Sequence, residues 1–294
     1  MKKMVFFLVT LMMTSLSMCK SAEWTAVSGG LLTIQTSSNS PFPHPDRAHG
    51  HDYNDIHFSF EEHYNDSSVA IFIPDHFAQT EAVNLVFYFH GWGNNIQKSI
   101  EKFELLQQFS DSKTNAVFVF PQGPKNASDS FGGRLEEPQI FKALVEDVLV
   151  FLHQEKKTKT LEHGKIILAG HSGAYRVISS ILNRGGVTEN VSEVYLFDAL
   201  YGQVENYTHW MDKYEGRLIN VTTPNGGTMR NSVDLMDDLD DWGLPNQRIE
   251  KDTVSVEELK SVGITSIFTT LGHSEVINPF FKFSLMSSGL QKLD

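Results

Sequence analysis

Short apolar runs alternate along the chain with longer segments whose apolar positions recur every three or four residues. LVFYF (85–89) and IILA (166–169) contain almost no polar residues, as expected for strands that are buried on both faces. Segments 138–157 and 96–113 have the apolar spacing of amphipathic helices. Such alternation predicts a three-layer α/β/α sandwich, with a mainly parallel central sheet and helices on both faces.

Residues 23 to about 80 follow another pattern. LLTIQT (31–36) and SVAIFIP (68–74) have strand-like composition and predict antiparallel strands at the edge of the sheet. The intervening segment is dense in Pro, His and Asp, which indicates a loop. The Asp-rich stretch 234–247 is interpreted as an exposed loop or helical insertion. With no internal repeat and no clear linker, residues 23–294 are predicted to form one domain.

The first 22 residues have the features of a secretory signal peptide. Two lysines precede the apolar segment Met4–Met13, and small polar residues follow it. The apolar segment is too short for a transmembrane helix. We therefore expect an exported protein that is periplasmic, anchored to the outer membrane or extracellular.

The only cysteine, Cys19, lies just after this apolar segment, in the sequence LSMC. This context resembles a bacterial lipobox, although Met18 stands where a small residue is usual. Either Cys19 carries a lipid or it is removed with the leader. In both cases the mature domain has no disulfide.

The acidic composition limits the partners that the protein can bind. The formal net charge is −12, and the chain has no patch rich in Lys and Arg. Such a surface repels nucleic acid and anionic lipid headgroups. We expect no nucleic-acid partner, and membrane attachment only through a lipid on Cys19.

Several polar residues directly follow predicted strands. Ser172 lies in the turn Gly170–Gly173, between the strand ending at Ala169 and a helical pattern. Asp198 follows the run VYLF, and His273 follows the predicted strand 264–272. In open α/β sheets, functional groups collect at the carboxyl ends of the strands. The sequence therefore predicts that a serine, an acid and a histidine lie at one edge of the sheet.

The turn and the chain order of these residues resemble the α/β-hydrolase family. Its nucleophile turn is G-x-S-x-G, and the acid and the histidine follow the serine in the sequence. Here the turn reads Gly170-His171-Ser172-Gly173-Ala174, so Ala174 replaces the last glycine. Alanine is still small enough for the helix to pack closely on the strand. The resemblance extends from about Val69 to Glu275 and implies a serine hydrolase that needs no cofactor.

The resemblance also implies a role for each residue. Ser172 would be the nucleophile, His273 its base, and Asp198 the acid that orients His273. The backbone N–H of Gly173 and one from the Gly91–Trp92 turn would form the oxyanion hole.

The acid has alternatives. Many members of the family carry it one strand later, where this sequence has no acid until Asp234. Asp234 and the aspartates of 237–241 therefore remain candidates beside Asp198.

Further residues have weaker signals. His171 and Arg176 flank the turn and are candidates for substrate binding, and a structural ion pair is the competing interpretation for Arg176. Trp92, Trp210 and Trp242 could line an apolar or sugar-binding cleft, or pack in the core or under a lid.

A second constellation lies in the loop that follows the first predicted strand. It consists of His44, His49, His51, Asp52, Asp55 and His57. His49-x-His51 with nearby carboxylates could bind a zinc or another divalent ion. A metal-dependent hydrolase is therefore an alternative function, and a solvated loop is the simpler interpretation.

The sequence thus predicts an exported serine hydrolase that transfers the acyl group of a carboxylic ester to water. The expected partner is a small-molecule or polymer-derived acyl substrate. A serine peptidase or amidase acting on peptide or cell-wall amide bonds is an alternative, because the preferred leaving group depends on the shape of the pocket. A catalytically inactive binding module would keep the same fold but would not react with serine-directed probes.

Overall fold

The computed structural model describes residues 22–293. Residues 1–21, which carry most of the predicted signal peptide and Cys19, lie outside the described part of the chain. The strands within it are β1 (Thr25–Val27), β2 (Gly30–Thr36), β3 (His51–Tyr53), β4 (Ile56–Phe58), β5 (Ser68–Pro74), β6 (Val83–Phe89), β7 (Val117–Pro121), β8 (His163–His171), β9 (Val191–Phe197), β10 (Arg217–Thr222), β11 (Asn246–Ile249) and β12 (Ile264–Phe268). The α-helices are α1 (Phe60–His63), α2 (Ile96–Lys102), α3 (Leu105–Asp111), α4 (Ile140–Gln154), α5 (Tyr175–Arg184), α6 (Val204–Tyr214), α7 (Met229–Asp241), α8 (Val256–Lys260) and α9 (Ile277–Met286).

Ten of these strands form one sheet in the order β1-β2-β5-β7-β6-β8-β9-β10-β12-β11. From β7 to β11 all neighbours are parallel. On the other side, β1, β2 and β5 pair in antiparallel fashion, and β5 joins β7 in the same way. The predicted architecture, a mainly parallel sheet with antiparallel strands at the edge, is confirmed.

Both faces of the sheet are covered by apolar cores. In β6, Leu85 and Phe87 contribute to one core and Val86 and Tyr88 to the other, because successive side chains of a strand point to opposite faces. Helices α4, α5, α6 and α7 pack on the first face, and α3, α8 and α9 on the second. Strands that are buried on both faces explain why their sequences are apolar throughout.

The predicted helix 96–113 is broken into α2 and α3. Glu104 lies between them in the left-handed region, with φ of 50°. Phe103, Leu105 and Phe109 are all buried in one core. Residues two positions apart in a straight helix point to nearly opposite sides, so Phe103 and Leu105 could not both reach this core without the break.

Other boundaries also differ from the sequence pattern. The loop between the first two predicted strands contains the hairpin β3–β4, and the Asp-rich segment begins inside helix α7 and reaches strand β11. Strand β12 ends at Phe268, so His273 lies in the loop that follows it. Within residues 22–293, no helix has the length and apolar character needed to cross a membrane.

Candidate active site

Ser172 lies in the sharp turn between β8 and α5. A 3-10 turn, Ser172–Ala174, connects the strand to the helix. Ser172 has φ of 55°, which is rare for a residue with a side chain. Backbone strain of this kind costs roughly 1–3 kcal/mol and is found preferentially at functional sites. The turn raises Ser172 above the carboxyl end of the sheet, where it is partly exposed.

Asp198 and His273 form a direct pair at the same edge. Asp198 directly follows β9, the neighbour of β8 in the sheet. His273 Nδ1 lies 2.6 Å from Asp198 Oδ2. The structure therefore brings together an acid and a histidine that are 75 positions apart in the sequence.

The Asp198 carboxylate is fully buried and fixed by further donors. The Thr223 hydroxyl donates to Oδ2 at 2.6 Å, and the Thr223 N–H donates to Oδ1 at 3.3 Å. The Thr228 hydroxyl also donates to Oδ1 and lies 2.6 Å from the hydroxyl of Thr222. A Cβ atom on Gly226 would overlap with the carboxylate, so this loop can close over Asp198 only with glycine at that position.

Two opposing effects determine the ionisation of Asp198. Burial raises its pKa, but hydrogen bonds from His273, Thr223 and Thr228 outweigh burial, so that the pKa is lower than usual. The ionised carboxylate can only accept hydrogen bonds. In a neutral His273 ring the proton must therefore be at Nδ1, and the lone pair is then at Nε2, where it can accept a proton.

In the described part of the chain, the Ser172 hydroxyl is not hydrogen-bonded to the Asp198–His273 pair. Instead, Ser172 lies near the Tyr201 hydroxyl, which donates to the carbonyl of Gly226. Burial and the neighbouring Asp198 raise the pKa of Tyr201 to about 12, while the nearby Ser172 acts in the opposite direction. A neutral phenol therefore borders the serine.

The predicted oxyanion segment packs directly on the turn. A Cβ atom on Gly91 would lie 2.5 Å from Ser172 Cβ and 2.9 Å from the His171 carbonyl oxygen, so only glycine allows this contact. Buried His90 fixes the segment: its Nδ1 donates to the Gly91 carbonyl at 2.8 Å, while its Nε2 accepts from Gln122 at 2.8 Å and from the Gly123 N–H at 3.2 Å. Burial lowers the pKa of His90 to about 4, although the bond to Gly91 opposes this shift.

His171 contacts the loop that carries His273 and is nearly inaccessible to solvent. Its Nε2 donates to the His273 carbonyl at 2.8 Å, and the two rings are 4.5 Å apart. Burial, followed by the nearby His273, lowers the pKa of His171 to about 3. This geometry indicates that His171 holds the His273 loop in place, and it gives less support to the predicted role of His171 in substrate binding.

Arg176 is engaged in a structural ion pair. Its Nε lies 2.7 Å from Glu136 Oε1, and its guanidinium is 5.1 Å from the ring centre of Phe131. The positive charge is thus already balanced within the protein, in agreement with the competing interpretation of this residue.

The alternative acids lie away from His273. Asp234 is on α7, 3.6 Å from the side chain of Arg230, and Asp237 and Asp240 of the same helix pair with Arg248. The three tryptophans considered as cleft residues have different surroundings. Trp210 is buried in the core, Trp242 is exposed at the end of α7, and only Trp92 lies at the serine turn.

The residues of the proposed metal cluster are dispersed. Asp52 and His57 face each other across the hairpin at 2.7 Å, whereas His44 contacts Glu137 at 3.0 Å. His49 is exposed and forms no such pair with another residue of the described range 22–293. In the part of the chain that the structure describes, no group of three or more His, Cys, Asp and Glu side chains is arranged to hold a metal ion.

Sequence reasoning missed the residues that support the site. Thr223 and Thr228 fix Asp198, His90 fixes Gly91, and Tyr201 lies beside Ser172. The only sequence signal for Thr223 is its position just after strand β10, at the edge of the sheet where functional groups collect.

Comparison with known proteins gives a consistent result for the fold. No family model matches the sequence, and no curated protein matches it. Among solved structures, a serine-to-alanine mutant of the feruloyl esterase module from Clostridium thermocellum, complexed with sinapinate, is 10% identical, with a TM-score of 0.51 over 91% of this chain and 93% of that chain. FphF, a fluorophosphonate-binding serine hydrolase of Staphylococcus aureus, is 10% identical, with a TM-score of 0.51 over 88% and 99% of the two chains. A ferulic acid esterase is 10% identical, with a TM-score of 0.51 over 75% and 92%. Together with the sheet order and the serine turn, these similarities identify the architecture of the chain as the α/β-hydrolase fold.

Proposed function

We propose that the protein is an exported serine hydrolase that cleaves carboxylic esters. The main support is the contact between His273 Nδ1 and the buried Asp198 carboxylate, at the sheet edge where the turn presents Ser172. A hydroxyl is a poor nucleophile at neutral pH, and a histidine with a free Nε2 is the base that it needs. Export rests on the sequence of the first 22 residues.

In the proposed reaction, Ser172 Oγ attacks the carbonyl carbon and its proton passes to His273 Nε2. The negative charge that develops on the carbonyl oxygen is stabilised by the N–H groups of Gly173 and of the Gly91–Trp92 turn. The bond to the alcohol oxygen then breaks, and the alcohol leaves with the proton from His273. Water then attacks the acyl carbon and gives a proton to His273. The bond between the acyl carbon and Ser172 Oγ breaks, His273 returns the proton to Oγ, and the acid leaves.

The names of the structural neighbours agree with this proposal. Two of them are feruloyl or ferulic acid esterases, and a third is a serine hydrolase that binds fluorophosphonates. At 10% identity these similarities support the fold, and the assignment of chemistry rests on the residues of this chain.

The proposal is tested by covalent labelling with a fluorophosphonate, read as intact mass. The mature protein should gain a single adduct, and Ser172→Ala should gain none. Ser180→Ala is a matched control, because Ser180 is also a partly exposed serine and lies in α5, the helix that follows the turn. Hydrolysis of a simple ester should fall by at least roughly 10⁴-fold in Ser172→Ala.

Absence of any adduct on folded protein, or an adduct that persists in Ser172→Ala, would contradict the proposal. If the serine is labelled but only amides are hydrolysed, the triad is retained and the substrate class changes to a peptidase or amidase.

A further inference from the structure

An exposed aromatic pair lies beside the serine turn. The ring centres of Tyr53 and Trp92 are 4.9 Å apart with an interplanar angle of 72°. Although they pack against each other, Tyr53 remains 38% and Trp92 41% exposed. Two of the few large apolar side chains that face solvent in the described chain therefore form one surface.

Ile56 enlarges this surface. It is the direct partner of Tyr53 across the β3–β4 hairpin, and directly opposite residues of an antiparallel pair point to the same face. Ile56 is 57% exposed. Single exposed apolar residues are common, but a contiguous group at the edge of a predicted catalytic site indicates a binding surface.

The surface is directly connected to the catalytic turn. Trp92 Nε1 donates to the Ser130 hydroxyl at 2.7 Å, which fixes the orientation of the indole. Cδ1 and Nε1 of Trp92 lie 2.8 and 2.9 Å from the position of a Cβ atom on Gly173. Gly91, the residue before Trp92, packs on Ser172 itself. A group bound on the indole would thus be adjacent to the reacting serine.

We propose that Tyr53, Ile56 and Trp92 form a platform that binds an aromatic ring of the ester substrate. The proposal rests on the proposed function and names its substrate class. Because Tyr53 meets Trp92 nearly edge to face, the two rings form a corner in which a planar ring can contact one face and one edge. Aromatic rings prefer these two arrangements.

Charge supports an uncharged apolar occupant. Arg176, in the helix that follows the turn, is paired with Glu136. Arg47, which contacts the same Phe131 ring as Arg176, is paired with Asp129, and Ser130 is already bonded to the indole. The neighbouring Asp52 bonds to His57 on the hairpin. These polar groups thus already have partners within the protein, and the three side chains of the platform themselves carry no charge.

The test uses labelling rates, which do not require the natural substrate. Phosphonofluoridates react when Ser172 Oγ bonds to phosphorus, fluoride leaves, and the serine proton passes to His273. Two pairs of probes are compared. In the first pair, the carbon chain bonded directly to phosphorus ends in a phenyl group in one probe and in a methyl group in the other. In the second pair, the alkoxy chain carries the same difference. For each pair, the ratio of second-order rate constants, phenyl over methyl, is measured in the unaltered protein and in each variant.

In the unaltered protein, at least one ratio should exceed one. In Tyr53→Ala that ratio should fall about 2- to 13-fold, the range for loss of an aromatic pair contact. Tyr53→Phe, which keeps the ring, should retain it. Trp242→Ala removes another exposed aromatic side chain, at the end of α7, and should also retain it.

Equal ratios in the unaltered protein and in Tyr53→Ala, with normal labelling of Ser172, would overturn the platform and leave the proposed function intact. If Tyr53→Ala lowers the midpoint of thermal unfolding but not the ratio, Tyr53 only anchors the hairpin, and the platform is again overturned. Absence of labelling by every probe would overturn the proposed function, and the platform with it.

Discussion

Two histidine–aspartate pairs in this protein have almost the same distance between Nδ1 and the carboxylate oxygen but very different surroundings. His273 Nδ1 lies 2.6 Å from Asp198, and His57 Nδ1 lies 2.7 Å from Asp52. The Asp198 side chain is 0% exposed, whereas those of Asp52 and His57 are 82% and 56% exposed. The distance between the partners therefore does not distinguish a candidate catalytic pair from a surface contact.

Burial and supporting donors make the difference. Thr223 and Thr228 hold the Asp198 carboxylate in one position, and the pKa of Asp198 is lowered in spite of its burial. In the described part of the chain, the only side-chain partner of the Asp52 carboxylate is His57, and the Asp52 side chain is exposed to solvent. An exposed pair of this kind is worth only about 0.2–1 kcal/mol. A histidine base needs an orienting partner that cannot move, and only the buried pair provides one.

The largest expected effect appears when the aspartate of each pair is replaced by asparagine and the two variants are compared. Asp198→Asn should lower kcat for ester hydrolysis by roughly 10⁴-fold, because an amide can hold His273 in the wrong tautomer. Asp52→Asn should change kcat by less than about 2-fold, since Asp52 orients no reacting group. Steady-state kinetics of both variants would check this, with circular dichroism to establish folding. Similar losses in the two variants would refute the distinction.

A smaller effect is expected from the donors behind Asp198. Thr228→Val keeps the shape but removes the bond to Oδ1 and leaves the Thr222 hydroxyl without its partner. The free energy of unfolding should fall by about 1–3 kcal/mol, as for an unsatisfied buried polar group. Urea unfolding measures this change. Thr80→Val is the matched control, because the Thr80 hydroxyl bonds to Ala82 on the surface, and its change should stay within roughly 0.5 kcal/mol.

The buried pair should also contribute to the pH dependence of stability. The pKa of Asp198 in the folded protein is below its ordinary value of 3.8. Between these two values the unfolded chain binds more protons, so the stabilisation is complete above pH 3.8 and is lost as the pH falls through the folded-state pKa. The difference in unfolding free energy between the unaltered protein and Asp198→Asn should therefore shrink below about pH 4. Urea unfolding across pH 3–6 measures it, and a constant difference would argue against this pairing.

The smallest expected effect concerns the exposed pair and its neighbours. Treatment with EDTA, followed by removal of the chelator, should leave ester hydrolysis unchanged, because the described His and Asp side chains of the hairpin region do not converge on one point. Metal analysis by mass spectrometry serves as the control. Loss of activity that zinc restores would favour the metal-dependent alternative.

The sheet, and the positions of Ser172 and Asp198 at the ends of its strands, could be predicted from the sequence because both follow from local patterns. A strand buried on both faces is recognisable from its own residues, and each of these two side chains directly follows such a strand. The break at Glu104 and the hairpin β3–β4 were not predicted. The break depends on packing against the core, and the hairpin residues have the composition of a loop.

The tertiary structure decided which acid meets His273 and what holds it. Asp198 and Asp234 are both plausible in sequence, but only the path of the loops places Asp198 beside the histidine while Asp234 remains on the surface of α7. The tertiary structure also places Tyr53 in contact with Trp92, although the two residues are far apart in the chain. Local patterns determine what each segment becomes, because hydrophobic periodicity is read within a segment. Contacts between loops depend on how all segments pack together, and no single segment carries that information.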